Sequence, residues 1–166
     1  ASLGSYQLAV TNLASAHTLA SGTFSATTDT LGTGTLTISI GTPSYSGSTY
    51  SSFSQTSSVD ITIDSSNNTL AGVRDAINNA GAGVNASILK NGDNYQLLLV
   101  SEETGLSKSM SISVSGDSVG GDTDNDGLSQ LAFNSSGSQL TQYAAGANAN
   151  FSINGLAVSS ASNTVT

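Results

Sequence analysis

A period-two alternation of apolar and hydroxylated residues constrains this chain more than any other feature. Tyr6, Leu8 and Val10 alternate with Gln7, Ala9 and Thr11, and Leu36, Ile38 and Ile40 with Thr35, Thr37 and Ser39. Val59, Ile61 and Ile63 alternate with Asp60, Thr62 and Asp64, and Met110, Ile112 and Val114 with Ser109, Ser111, Ser113 and Ser115. Successive side chains of a strand point to opposite faces. Each run therefore predicts a strand with one face on a core and one in water. Residues 95–100 are apolar on both faces and are predicted to form the most buried strand. Composition alone would leave disorder open, since 32 Ser and 19 Thr stand among 166 residues and only 8% are charged, against about 25% in an average domain. The alternation decides for a folded chain.

One segment breaks the pattern. Leu70, Val73, Ile77 and Ala80 recur at helical spacing, Asn68 or Thr69 is placed to cap the start, and Gly81 to end it. The predicted fold class is mainly β, with antiparallel sheets and hairpins and one short α-helix at about 70–80. A strand around Val84–Leu89 returns to 95–100 through Asn91-Gly92. Phe151-Ser152-Ile153 returns to Leu156-Ala157-Val158 through Asn154-Gly155. Residues 41–58, rich in Ser, Tyr and Gly and holding the sole proline, Pro43, read as a long surface loop with room for a short hairpin. Residues 116–127 read as an acidic loop, and 141–150 lack periodicity. The loops divide the region 1–166 into one lobe of 1–42 plus 139–166 and an inserted lobe of 59–134. The chain opens at Ala1 inside a strand pattern, as a piece of a longer protein would.

Charge and cysteine usage exclude several function classes. With three Lys and Arg against eleven Asp and Glu, the chain lacks the cationic clusters that nucleic acid or an anionic membrane surface requires. No run of apolar residues is long enough to span a bilayer. With no Cys, a disulfide framework, a thiol nucleophile and Cys-based metal sites are all excluded.

The residues that could carry chemistry are few. His17 has no acidic residue near it in sequence and no Gly-x-Ser-x-Gly elbow to serve, so it reads as a surface or half-buried histidine. Asp122, Asp124, Asp126 and Gly127 repeat the first half of a calcium loop, but Phe133 occupies the place of the closing carboxylate. An acidic solvated turn is favoured over a calcium site. Glu102 and Glu103 are adjacent on a strand end and point apart. Asn67, Asn85, Asn134 and Asn150 lie in N-x-[ST] triplets by chance in a chain this rich in Asn and Ser. Gly32, Gly34 and Gly41 read as turn glycines with no helix N-terminus behind them. No active site and no cofactor are expected.

Several stretches carry a resemblance. Thr69-Leu70-Ala71, Val73 and Ala76-Ile77-Asn78, then Gly83-Val84 and Ala86-Ser87, then Tyr95, Leu97, Leu99 and Ser101, closed by Thr104-Gly105, resemble the repeat motif of flagellins and hook-associated proteins. Ser5–Ala14, Gly34–Ile38, Phe151–Gly155 and Ser162-Asn163-Thr164-Val165 resemble, in order, the outer region of the flagellar hook-associated protein 2 family, the filament caps. That resemblance implies a non-enzymatic structural protein, exported through the flagellar type III channel, forming a homo-oligomeric ring at the extracellular filament tip. It implies flagellin as partner, whose assembly the ring guides, and for some members adhesion to host mucin. It gives Leu70, Val73, Ile77, Asn78, Gly83, Val84, Leu97, Leu99 and Ser101 as motif residues. The 41–58 insert is longer than the family leads one to expect, the terminal heptad helices are absent, and the strand that usually follows the Ser162–Val165 stretch is missing. Two alternatives stand beside it: the outer region of a flagellin or other axial protein, and a surface adhesin or carbohydrate-binding β module using Tyr45 and Tyr50. Residues 41–58 and 116–127 are the exposed contact candidates.

Overall fold

The computed structural model describes residues 5–47 and 49–164, with the backbone alone at Thr49. Val165 lies outside them. Twelve strands form along the described chain: β1 (Leu8–Asn12), β2 (Thr18–Ala20), β3 (Gly34–Ser46), β4 (Thr49–Ile63), β5 (Val84–Asn91), β6 (Asn94–Ser101), β7 (Ser109–Ser115), β8 (Phe133–Asn134), β9 (Gly137–Ser138), β10 (Thr141–Ala144), β11 (Ala149–Ile153) and β12 (Leu156–Ser160). They pair antiparallel into sheets of order β1-β11-β12, β10-β2-β6-β5 and β4-β3-β7-β8-β9. The helix α1 (Leu70–Ala80) has the predicted bounds. Thr69 caps it by accepting the Gly72 N–H at 3.1 Å, and Gly81 closes it in the left-handed conformation.

One core takes side chains from the four-stranded sheet, the five-stranded sheet and the helix. Leu19, Leu36, Ile38, Leu70, Val73, Ile77, Leu97, Leu99 and Ile112 are buried in it. A second, small core holds Ala14, Ala149 and Phe151 under the three-stranded sheet. Residues 34–42, grouped in sequence with the chain ends, share the large core with β4 and β7 instead.

Three local expectations change. The β6 strand alternates buried and half-buried residues, and β3 is the more enclosed, with Leu36, Ile38, Ser39 and Ile40 all buried. The β5–β6 turn centres on Gly92-Asp93, one residue later than predicted, with Asn91 paired to Asn94. The β11–β12 turn falls on Asn154-Gly155 as predicted, with both residues at positive φ, which the twist of a two-residue hairpin demands.

The largest correction concerns 41–58. This segment is the outer part of a β3–β4 hairpin with its turn near Gly47. Beyond Gly41, β3 loses its β7 partner and the hairpin continues as a two-stranded arm. Both faces of much of the arm meet water: Ser44, Tyr45 and Ser46 are exposed in succession, as are Ser54 through Ser58. Tyr50 alone among its described outer residues packs against the large core, and so short an anchorage carries no apolar alternation to read. Gly41 marks the departure. The register shifts there, Ile40 facing Ser57 and Gly41 facing Gln55, so Thr56 bulges. A Cβ on Gly41 would run into the Ser54 carbonyl oxygen, so only glycine fits at this bulge, and Gly34 and Gly41 lie within β3 rather than in the predicted turns.

Candidate interaction surface

The motif residues converge on one folding unit. Leu70, Val73, Ile77, Val84, Leu97 and Leu99 are all buried in the large core. Asn78 joins helix to sheet: its Oδ1 accepts the Ala86 N–H at 2.7 Å and its Nδ2 donates to the Ala86 carbonyl at 2.9 Å. Gly83 occupies a positive-φ position just ahead of β5. The Ser101 hydroxyl accepts the His17 N–H at 2.9 Å and donates to the Glu103 carbonyl at 2.9 Å. Every one of these roles is packing or main-chain bonding, which is what holds a helix–hairpin unit together.

The carboxylates of 116–127 accept hydrogen bonds from their own loop and its Ser129 flank, with Asp122 and Asp126 exposed. Asp124 accepts from the N–H groups of Gly121 and Asp126 and from the Ser129 hydroxyl, and these bonds hold its carboxyl below the usual range. Asp122 accepts the Asp117 N–H at 2.8 Å and Asp126 the Gly127 N–H at 2.8 Å. Among the described residues no group of three or more His, Asp or Glu side chains is placed to hold a metal ion. Glu102 and Glu103 are exposed, and Glu103 pairs with Lys108. Asn67, Asn134 and Asn150 are engaged in turns and strand contacts: Asn67 Oδ1 accepts from Asp64, Asn134 Nδ2 donates to Ile112, and Asn150 Nδ2 donates to Asn12.

His17 departs from expectation. It is buried, with 2% of its surface exposed. Nothing in its sequence neighbourhood of small residues signals this, because its partners come from Ser101, Met110, Phe133 and Gln142.

An open apolar surface lies on the three-stranded sheet. Leu8 faces Ile153 and Val10 faces Phe151 across the β1–β11 ladder. Yet Leu8 is 61% exposed and Leu13 65%, and Tyr6 and Val10 are also more than half exposed. The alternation of β1 thus gives an apolar face that lies open, in contrast to the predicted burial. With Phe151, Ile153 and Asn163 these residues line a hollow of about 480 Å³. Side-chain amides fix its frame. Asn163 Oδ1 accepts the Ala14 N–H at 2.7 Å while its Nδ2 donates to the Ala14 carbonyl at 3.0 Å, and the Gln7 N–H donates to Asn154 Oδ1 at 2.8 Å. An open apolar face of this kind is a candidate contact surface.

The arm is the second exposed surface. Between Asp29 and Asp60 the sequence holds no charged side chain at all.

These features define a class: a β-rich structural region whose buried helix–hairpin unit carries a flagellar motif and whose open surfaces suit contact. The flagellin hook IN motif matches residues 35–103. The chain belongs to the flagellar hook-associated protein 2, or flagellar cap protein, family. It is 38% identical to the B-type flagellar hook-associated protein 2 of Pseudomonas aeruginosa over 172 residues, covering 98% of this chain and 33% of that one. It is 37% identical to flagellar hook-associated protein 2 of Escherichia coli over 166 residues, covering 98% and 32%. The chain thus spans about a third of the length of these curated relatives. The solved D2-D3 domains of the Escherichia coli flagellar cap protein superpose with a TM-score of 0.82 at 33% identity, covering all of this chain and 78% of that one. The solved Pseudomonas aeruginosa protein gives 0.76 at 36%, covering all of this chain and 70% of that one.

Proposed function

We propose that this chain is the outer, non-enzymatic portion of a flagellar filament cap, standing at the extracellular filament tip. There it contacts neighbouring copies in a ring and exported flagellin during assembly. The observation that supports this most is the superposition of the solved cap-protein D2-D3 domains on the whole of this chain at 33% identity. The two cores support two lobes, a small one with β1, β11 and β12 and a large one with the remaining elements. Within this reading the open apolar face is the contact surface toward other protein. The arm, with Tyr45 exposed, is the surface available to host mucin.

Immunogold electron microscopy of the source cells, with antibody raised against this chain, tests the reading. Gold confined to filament tips is the expected result. Gold along whole filaments would reassign the chain to a flagellin, gold at the hook junction to another axial protein, and gold on the cell body to an adhesin.

A further inference from the structure

His17 sits where several strands of the large core meet. Its main chain is tied to the end of β6: the Ser101 N–H donates to the His17 carbonyl at 2.9 Å and the His17 N–H donates to Ser101 Oγ at 2.9 Å. Its ring is tied elsewhere. The Met110 N–H on β7 donates to His17 Nδ1 at 2.8 Å. A backbone N–H only donates, so Nδ1 carries no proton, and Nε2–H points to Gln142 Oε1 on β10 at 3.3 Å. The ring also lies against Phe133 at 5.5 Å between centroids. Phe133 stacks on Tyr50 at 5.7 Å, and Tyr50 packs against Tyr45 at 5.6 Å, beside the tip of the arm. A continuous aromatic line therefore joins a buried titratable ring to the arm.

We propose that His17 is a proton-operated latch that holds the arm against the body of the molecule. Uptake of one proton at Nδ1 sets two donors face to face, the imidazolium N–H and the Met110 N–H. The ring then turns away from β7, Phe133 loses its backing, and the Tyr50 end of the arm comes free. The Ser101 bonds use only the main chain of His17, so β2 stays paired to β6 and the body stays folded. Burial favours the neutral ring and lowers its pKa, with the Gln142 contact opposing. The ring's partners on β7, β8 and β10 are the Met110 amide, Phe133 and Gln142, all uncharged. The charged groups on the flanking segments are Glu102 and Glu103 after β6, both exposed, and Lys108 before β7, which pairs with Glu103. Tyr143 on β10 is exposed.

The test is an NMR titration of the whole chain between about pH 7.5 and 4.5, the window in which a buried imidazole charges. The protection factor of the Met110 amide, its exchange rate taken relative to the intrinsic rate at each pH, is expected to fall at least about tenfold as His17 titrates, because local opening is what exposes it. The Tyr50 and Phe133 ring signals are expected to shift in the same step, while the Leu36 and Ile38 amides stay protected. His17→Asn keeps an acceptor near the Nδ1 position and does not titrate, so the step should vanish in that variant. Tyr50 signals that stay fixed in the wild-type chain while His17 charges would overturn the latch. So would the same step persisting in His17→Asn, or Leu36 losing protection together with Met110. The wild-type titration decides by itself if the variant does not fold.

Discussion

The β1–β11–β12 sheet and the β5–β6 hairpin both set apolar residues two apart along a strand, and these meet opposite fates. Leu97 and Leu99 on β6 are sealed by the helix and the neighbouring sheet, whereas Leu8 and Val10 on β1 stand open. Both regions even use the same device, an asparagine amide clamping both main-chain groups of a buried alanine: Asn78 on Ala86, and Asn163 on Ala14. Alternation thus specifies which face of a strand is apolar. Whether anything covers that face depends on elements distant in sequence. An apolar face framed by side-chain amides holds its register without being buried, and so stays available to a partner.

Four measurements sharpen or break that contrast. Leu97→Ala should cost about 2–5 kcal/mol in denaturant unfolding, through lost transfer energy and a cavity in the sealed core. A cost as small as a surface change would show that β6 is not the body's keystone. Asn78→Ala and Asn163→Ala should each cost about 1–3 kcal/mol, because each strands an N–H and a carbonyl together. Asn78 should be the more costly, since Ala86, the residue it clamps, belongs to the larger core, and the reverse order would break the parallel between the two clamps.

The pH dependence of stability follows from burial of His17 as a neutral ring. Burial holds its folded-state pKa below the ordinary imidazole value. Its contribution is therefore complete above the unfolded imidazole pKa and is lost as pH falls through that value toward the folded one. Urea midpoints should accordingly fall on acidification through this window in the wild-type chain and stay flatter in His17→Asn. The smallest effect is expected at Leu8→Ser, within about 0.5 kcal/mol, since Leu8 leaves little water on folding. A cost near that of Leu97→Ala would mean that the face is covered in solution.

Much of the local structure was legible in the residues. Thr69 and Gly81 mark the helix ends because caps act through their own backbone neighbourhood, and Asn154-Gly155 marks its hairpin because only such pairs accept two positive φ values. The arm was not legible, because a ribbon wet on both faces over much of its length has no apolar period to show. Burial of His17 was not legible either, since the groups that enclose its ring, Met110, Phe133 and Gln142, come from strands far along the chain. The Asn78 clamp was visible only as part of a resembling motif. Its chemistry needs Ala86 brought alongside by the loop through Gly83.

The absence of charge between Asp29 and Asp60 has an electrical consequence. A body with net charge −8 repels other acidic surfaces, and salt screens that repulsion over a Debye length of about 8 Å at physiological ionic strength. The arm has no ion pair to screen and no carboxylate or amine to titrate. Its own contacts should hold equally in fresh water and in brine, and any association through it should tighten, not weaken, as salt rises.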